Sequence, residues 1–267
     1  SSDVCSSDLQ KLLEARQKRI RPLLDDKMIT DWNGLMIASL AKAGRILKEP
    51  RYIAKAKEAA DFLLKNIQDE NGNLLHRYRK GSAAVKGYAY LAWGMFELFQ
   101  STMEPFYLQQ SMRLMQKMFE NFWDSANGGF FMTSNDAEQV LIRQKEIHDG
   151  AMPSGNSVAL YVLGMLARTG LNEEWEEKAE ELVQAFAAKI SQFPAEHSFF
   201  LCALDFVLNP SKEVIIASPK DTEAIPDFFE LIHDKYGPDI IGILKTEKNA
   251  HELAALIPFT RNCKARE

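Results

Sequence analysis

Cysteine is scarce. The 267 residues hold only Cys5, Cys202 and Cys263, too few and too far apart for a disulfide framework, and no CxxC or Cys/His pair has zinc-ligand spacing. A reducing compartment, the cytoplasm, is therefore the expected location. No apolar run approaches the roughly 18 residues of a membrane span, and the polar N-terminus has no signal-peptide core. Basic tracts are missing as well: 32 Lys and Arg against 37 Asp and Glu leave a net charge of −5, which argues against nucleic acid and membrane surfaces as partners. Neither a phosphate loop nor a dinucleotide fingerprint nor a GxSxG elbow occurs, so nucleotide-dependent and serine-hydrolase chemistry drop out. No cofactor and no metal are implied.

What is present is the composition of an ordinary globular protein, 46% hydrophobic and 26% charged, at a length suited to one large domain or two small ones. Four segments, 32–47, 88–100, 154–168 and 197–208, are apolar nearly all round at helical spacing, which marks buried helices. Between them 51–68, 105–123 and 172–190 are rich in Lys, Glu and Gln and apolar on one side only, so they are expected to face solvent along a charged stripe. Met112, Met115 and Met118 fill one face of the second of these. Two of the amphipathic segments end in Asn71-Gly72 and Asn127-Gly128-Gly129, turn chemistry that opens a short hairpin arm. Alternating buried and amphipathic helices read as stacked αα-hairpins, and a toroid of inner and outer helices is their natural closed form.

After Pro210 the pattern changes. Short β-branched runs at 213–217 and 239–244, with helices expected at 225–236 and 251–257, suggest a small parallel α/β unit. It would expose sheet edges unless it packs on the helical part. The first nine residues, SSDVCSSDL, lack helical or strand periodicity and resemble translated adapter sequence, so 1–9 is expected to be unstructured. The domain expectation is thus 10–210 for the helical part and 211–267 for the α/β unit, the whole being a piece of something longer.

Polar residues gather where the buried segments begin. Asp31 and Asn33 flank Trp32, so a sugar ring would stack on Trp32 while its neighbours bond the hydroxyls; an N-cap role for Asp31 is the alternative, and caps occur at every helix whereas sites do not. Glu146, His148 and Asp149 precede Pro153-Ser154-Gly155-Asn156-Ser157. Loops that enter inner helices of a toroid line its funnel, which makes Asp31, Glu146 and Asp149 acid/base candidates and Ser154 and Asn156 polar positioners. Turn and cap chemistry is the alternative for this segment. Tyr88 is a second stacking candidate, and Arg77 or Arg79 would meet a carboxylate or phosphate, unless this stretch is a solvated arm. His197 reads as a core or capping histidine.

Several motifs in order carry a resemblance: Arg21-Pro22, Asp25-Asp26-Lys27, Thr30-Asp31-Trp32-Asn33-Gly34-Leu35-Met36, Arg77-Tyr78-Arg79, Phe122-Trp123-Asp124 with Gly128-Gly129-Phe130-Phe131, and above all Lys145 to Ser157, followed by Ala203-Leu204-Asp205-Phe206 and Pro210-Ser211. Together they resemble the second half of the YyaL and spermatogenesis-associated family of thioredoxin-domain proteins. That resemblance implies a thioredoxin-like domain upstream and a mainly α fold, part of an (α/α)6 toroid related to sugar epimerases and six-hairpin glycosidases. The small C-terminal α/β unit follows it. A small carbohydrate ligand, isomerised or hydrolysed, is then expected; a scaffold that positions the thioredoxin-like domain for protein partners is the alternative. His148 stands where the family has Tyr and is not expected to be a general base. The chain also departs from the family after Lys86-Gly87, where it lacks an aspartate pair of the kind acid/base sugar chemistry uses.

Overall fold

A computed structural model describes residues 2–78, 80–137, 142–170, 173–210, 212–218 and 240–265. Its centre is a set of helical hairpins. Helix α2 (Thr30–Ile46) pairs with α3 (Pro50–Asn66), α4 (Val85–Thr102) with α5 (Pro105–Phe122), and α6 (Gly155–Gly170) with α7 (Glu173–Gln192), while α8 (Ser198–Leu208) packs on α6. The inner helices α2, α4, α6 and α8 coincide with the four segments expected to be buried, but only α4 and α6 are enclosed on nearly every side; α2 and α8 stand at the two ends of the row and bury one face each, leaving Trp32, Met36, Ile46 and Leu208 exposed. Helix α4 is the most enclosed, with Tyr90, Leu91, Met95, Phe96 and Phe99 all fully buried; each such side chain contributes about 1.5–3 kcal/mol through removal of apolar area from water. The outer helices bury one stripe each, Ala56, Ala60 and Leu63 on α3 and Leu108, Met115 and Met118 on α5.

Two of the inner-to-outer turns are built alike. Lys48 and Met103 stand in the left-handed region with φ of 55° and 57°, and each is followed by Glu and then by Pro at the first turn of the outer helix. The left-handed residue ends one helix; proline lacks an N–H that would go unused there, and its fixed φ starts the next. Between the inner helices, α2 and α4 meet at glycines. A Cβ on Gly34 would lie 2.7 Å from the Leu91 nitrogen, and one on Gly94 would lie 3.0 Å from the Gly34 oxygen. Only hydrogen at both positions lets the two backbones come this close.

The outer-to-inner connections differ in length. The Asn71-Gly72 turn leads into an antiparallel hairpin, β1 (Leu75–Arg77) with β2 (Lys80–Ser82), as its turn chemistry predicts. After Gly128-Gly129 the expected arm shrinks to a single bridge between Trp123 and Phe130.

At the C-terminal end β3 (Lys212–Ala217) and β4 (Ile240–Lys245) pair in parallel, Lys212 opposite Ile240 through Ala217 opposite Lys245. The helix expected at 225–236 lies outside the described residues. Helix α9 (Ala250–Leu256) follows and rests against α5. The unit docks on the hairpins through Gln100, whose buried side-chain amide accepts from the Gly242 N–H at 2.9 Å and donates to the Gly242 carbonyl at 3.2 Å. A side chain of α4 thereby satisfies β4 as a neighbouring strand would.

One expectation is corrected outright. Residues 2–9 are not irregular but form the first half of α1 (Ser2–Gln17). Ser and Asp near a helix N-terminus are compatible with its exposed N–H groups and dipole, and from Leu9 on the residues are good helix formers. The described side chains from residue 6 to Met28 are all exposed, so this helix owes nothing to packing.

Candidate functional site

Every segment linking an outer helix to the next inner one arrives at the same end of the hairpins, and that end holds the predicted residues. Asp31 lies in the first turn of α2 but does not cap it: Ile29 is the N-cap, and one carboxylate oxygen of Asp31 accepts from the Trp32 N–H at 2.9 Å. The neighbouring Thr30, fully buried, instead donates its hydroxyl to the Leu75 carbonyl and ties α2 to β1. Trp32 is 58% exposed and offers its ring to solvent. Asn33 donates its amide to the Ile29 carbonyl at 2.8 Å, closing the helix start rather than reaching outward.

Glu146 forms an ion pair with Lys86, 2.8 Å from Nζ, in the first turn of α4. One turn along the same helix Tyr90 is buried and donates its hydroxyl to the Pro153 carbonyl. Burial raises the Tyr90 phenol well above its ordinary value, and the carboxylates of Asp31, Glu146 and Asp149 push in the same direction. All three predicted carboxylates thus bear electrostatically on the same buried phenol.

Their availability differs. Asp149 accepts from the Ser154 N–H at 2.7 Å with one oxygen and from the Phe199 and Phe200 N–H groups at 2.9 and 3.0 Å with the other. It is the N-terminal cap of α8, supplied from 50 residues upstream. Ser154 caps α6, its hydroxyl accepting from the Ser157 N–H at 3.0 Å. Asn156 is fully buried as a bracket: its oxygen accepts from Phe130 N–H at 2.8 Å, and its nitrogen donates to the Phe130 and Glu146 carbonyls at 3.0 and 2.7 Å. Both are out of reach of a ligand. Tyr88 is likewise in the core, with Phe122 against its ring and the Leu74 N–H donating to its hydroxyl at 2.8 Å, so it offers no stacking surface. Burial also raises its phenol. Arg77 lines an open cavity of about 480 Å³ with Lys27, Ile29, His76 and Gly81. Arg79 lies outside the described residues. His148 is exposed, 3.6 Å from the Glu196 carboxylate. His197 is buried at the N-cap of α8 with its Nδ1 2.7 Å from the Phe193 carbonyl.

A second feature was not foreseen. Inward from this end, all four inner helices border an open groove of about 450 Å³, with Trp93, Tyr161, Phe199 and Phe206 as its walls and Ser39, Lys42, Cys202 and Asp205 along it. The rings meet edge to face, Trp93 5.8 Å from Tyr161 and Tyr161 5.9 Å from Phe199, an arrangement aromatic quadrupoles favour. Behind the wall the buried Glu97 carboxylate lies 3.0 Å from Arg45, 3.7 Å from Lys42 and 3.3 Å from the Trp93 indole nitrogen, which donates to it. One buried charge thus fixes both an aromatic wall and a cation. Phe199 joins the two features, since its N–H is held by Asp149 while its ring lines the groove. A trace of the groove exists in the sequence as Ser39 with Lys42, Trp93 with Glu97, and Phe199 with Cys202, Asp205 and Phe206, each set on one helix face. Among the described residues no cluster of His, Cys, Asp and Glu suits a metal ion, and no helix is long and apolar enough to cross a membrane.

No protein-family model matches the chain. Human spermatogenesis-associated protein 20 is 28% identical over 268 residues, 95% of this chain, and a Caenorhabditis elegans protein of uncharacterised function is 28% identical over 222 residues, 78% of it. The chain is similar to spermatogenesis-associated protein 20 along nearly its whole length. It spans about a third of that relative's length, 34%. Among solved structures, a GH76 α-mannanase from Bacteroides thetaiotaomicron aligns with a TM-score of 0.53 at 17% identity, covering 64% of this chain and 46% of that one. Cellobiose 2-epimerase from Spirochaeta thermophila aligns at 0.51 and 15%, covering 62% and 44%. Identities this low speak for the fold alone: the chain is mainly α, a part of an (α/α)6 toroid with a small α/β unit after it.

Proposed function

We propose that this chain is the carbohydrate-binding part of a longer cytoplasmic protein, whose toroid holds a sugar or polyol for isomerisation or hydrolysis and whose upstream region is a thioredoxin-like domain. The observation that carries the proposal is the groove: aromatic rings from three different inner helices, open to solvent on one side and edged by Ser39, Lys42 and Asp205, suit the apolar face and the hydroxyls of a sugar ring. Asp31 and Glu146, near the helix starts and outside the groove lining, are the acid/base candidates and Trp32 a further stacking surface. Asp149 acts as a positioning residue, since two of its three backbone partners, the Phe199 and Phe200 N–H groups, start α8.

Calorimetry of the chain against a panel of neutral and acidic mono- and disaccharides, for the native sequence and for Trp93→Ala, tests this. Binding by the native chain weakened at least tenfold by the substitution is expected. Absence of heat with every sugar, together with absence of turnover by the full-length protein, rejects it.

A second reading is favoured by one specific fact: Asp149, Ser154 and Asn156, three polar residues of the strongest motif, are engaged by backbone groups. A non-catalytic toroid that positions the thioredoxin-like domain for protein partners would need nothing more from them. Trapping partners on that domain with and without this region discriminates, because identical partner lists count against a scaffold.

A further inference from the structure

The cavity beside β1 is cationic, and nothing in the proposed function uses it. Lys27 comes from the segment before α2, and His76 and Arg77 from β1. The segment and the strand are held together by backbone: Tyr78 N–H donates to the Met28 carbonyl at 3.1 Å, and Ile29 bridges Arg77. Gly81 stands across the hairpin from His76, where a Cβ would lie 3.9 Å from the His76 Cβ, so this position adds no side chain to the space beside the cations. The cavity sits at the start of α2, whose first turn carries Asp31 and Trp32. Its link to the carbohydrate proposal is through that first turn, where Trp32 is exposed, and not through the groove, with which it shares no lining residue.

Charges around it are unevenly matched. Lys27 is paired with Asp25 at 2.8 Å. Lys27 holds the Asp25 carboxyl below its usual range, chiefly by hydrogen bonding, and the charge of Arg77 adds to this. The half-buried Arg77 guanidinium forms no hydrogen bond or close ion pair with another described residue. Of the carboxylates at this end, Glu146 is balanced by Lys86 and Asp149 by three N–H groups, while Asp31 accepts from the Trp32 N–H. A planar, always-charged fork left open is suited to a carboxylate or a phosphate, which it binds through two parallel hydrogen bonds.

We propose that Arg77, with Lys27 and His76, forms an anion subsite of the carbohydrate site, so that the ligand is an acidic sugar carrying a carboxylate or a phosphate. This rests on the carbohydrate proposal above and narrows it. The subsite explains a feature the toroid does not need, an arginine presented by a three-residue strand into open space.

Saturation-transfer NMR titrations of the 267-residue chain with glucose, glucuronic acid and glucose 6-phosphate test it, in the native sequence, in Arg77→Gln and in Arg51→Gln, which removes an exposed cation from α3. At least one acidic sugar should bind tenfold or more tighter than glucose, and whichever of the two it is identifies the anion. Arg77→Gln should cut the ratio of acidic to neutral affinity at least fivefold, while Arg51→Gln leaves it alone; because the Arg77–Ile29 bridge is made by backbone, circular dichroism of Arg77→Gln should match the native chain. Equal binding of all three sugars, or an acid preference that survives Arg77→Gln, overturns the anion subsite and leaves the carbohydrate proposal standing. Binding of none overturns both.

Discussion

Replacing Asn156 by alanine should destabilise the protein far more than the loss of a small polar side chain suggests. The Asn156 amide is fully buried and makes three hydrogen bonds to backbone, two with Phe130 and one with Glu146. Alanine leaves the Phe130 N–H, the Phe130 carbonyl and the Glu146 carbonyl in the interior without partners. An unsatisfied buried polar group costs about 1–3 kcal/mol, part of it recovered if water enters, so a total loss of about 3–5 kcal/mol is expected. That is a large share of the roughly 5–15 kcal/mol that keeps a domain folded. Urea unfolding followed by circular dichroism measures it as a shift in midpoint at constant slope. Asn156→Asp supplies the control for size: it keeps the volume but turns a carboxylate oxygen toward two carbonyls, and should cost at least as much as alanine. If alanine costs less than about 1 kcal/mol, or if Asp is tolerated, the bracket does not hold these segments together.

Three further outcomes follow from single contacts. Gly34→Ala places a Cβ 2.7 Å from the Leu91 nitrogen and 2.8 Å from the Tyr90 carbonyl carbon; backbone cannot yield as a side chain does, so a loss of about 3 kcal/mol, the upper end of overpacking costs, should appear in the same urea assay. Asp149→Ala removes the acceptor of three N–H groups, two of them at the start of α8, and should cost about 2–3 kcal/mol, with amide hydrogen exchange faster at Phe199 and Phe200 than in α4. Asp124 is held well below the usual carboxylate range, first by Lys145 and then by the Ala126 and Asn127 N–H groups and the Asn127 side chain. A depressed folded-state pKa means stability that is present above the ordinary carboxylate pKa of about 4 and is lost as pH falls below it. In Asp124→Asn, stability measured from about pH 5 down to pH 2 should therefore start lower and fall less steeply.

The architecture was readable because burial differs between the two kinds of helix. Segment 88–100 is apolar on every side and proved to be the enclosed α4, whereas 105–123 alternates Gln, Lys and Glu with Leu, Met and Phe and proved to be α5. The site was less readable for a physical reason. Asp149 looks the same in sequence whether it meets a sugar or an N–H group, and its cap partners lie 50 residues away. Asn156 next to two small residues resembles turn chemistry, and only the fold shows it bracketing Phe130. Trp93, Tyr161 and Phe199 each lie on a helix that is apolar throughout, so nothing local separates a ring facing an open groove from one facing the core. Tyr88 shows the converse: it stands at the start of an inner helix, as a stacking residue would, yet its ring points into the α5 side.

The indole Nε1–H of Trp93 gives the most direct measurement. It donates to Glu97 behind the groove, so a ring stacking on the open face displaces its NMR signal, which Trp93→Phe assigns. Titration with cellobiose, mannobiose and the acidic sugars should move this signal along a saturable curve. The signals of Trp123 and Trp175, which pack together with Phe119 away from the groove, should stay fixed. A Trp93 signal that stays in place up to the solubility of every sugar, or that moves only together with Trp123 and Trp175 and without saturation, would contradict carbohydrate binding in the groove.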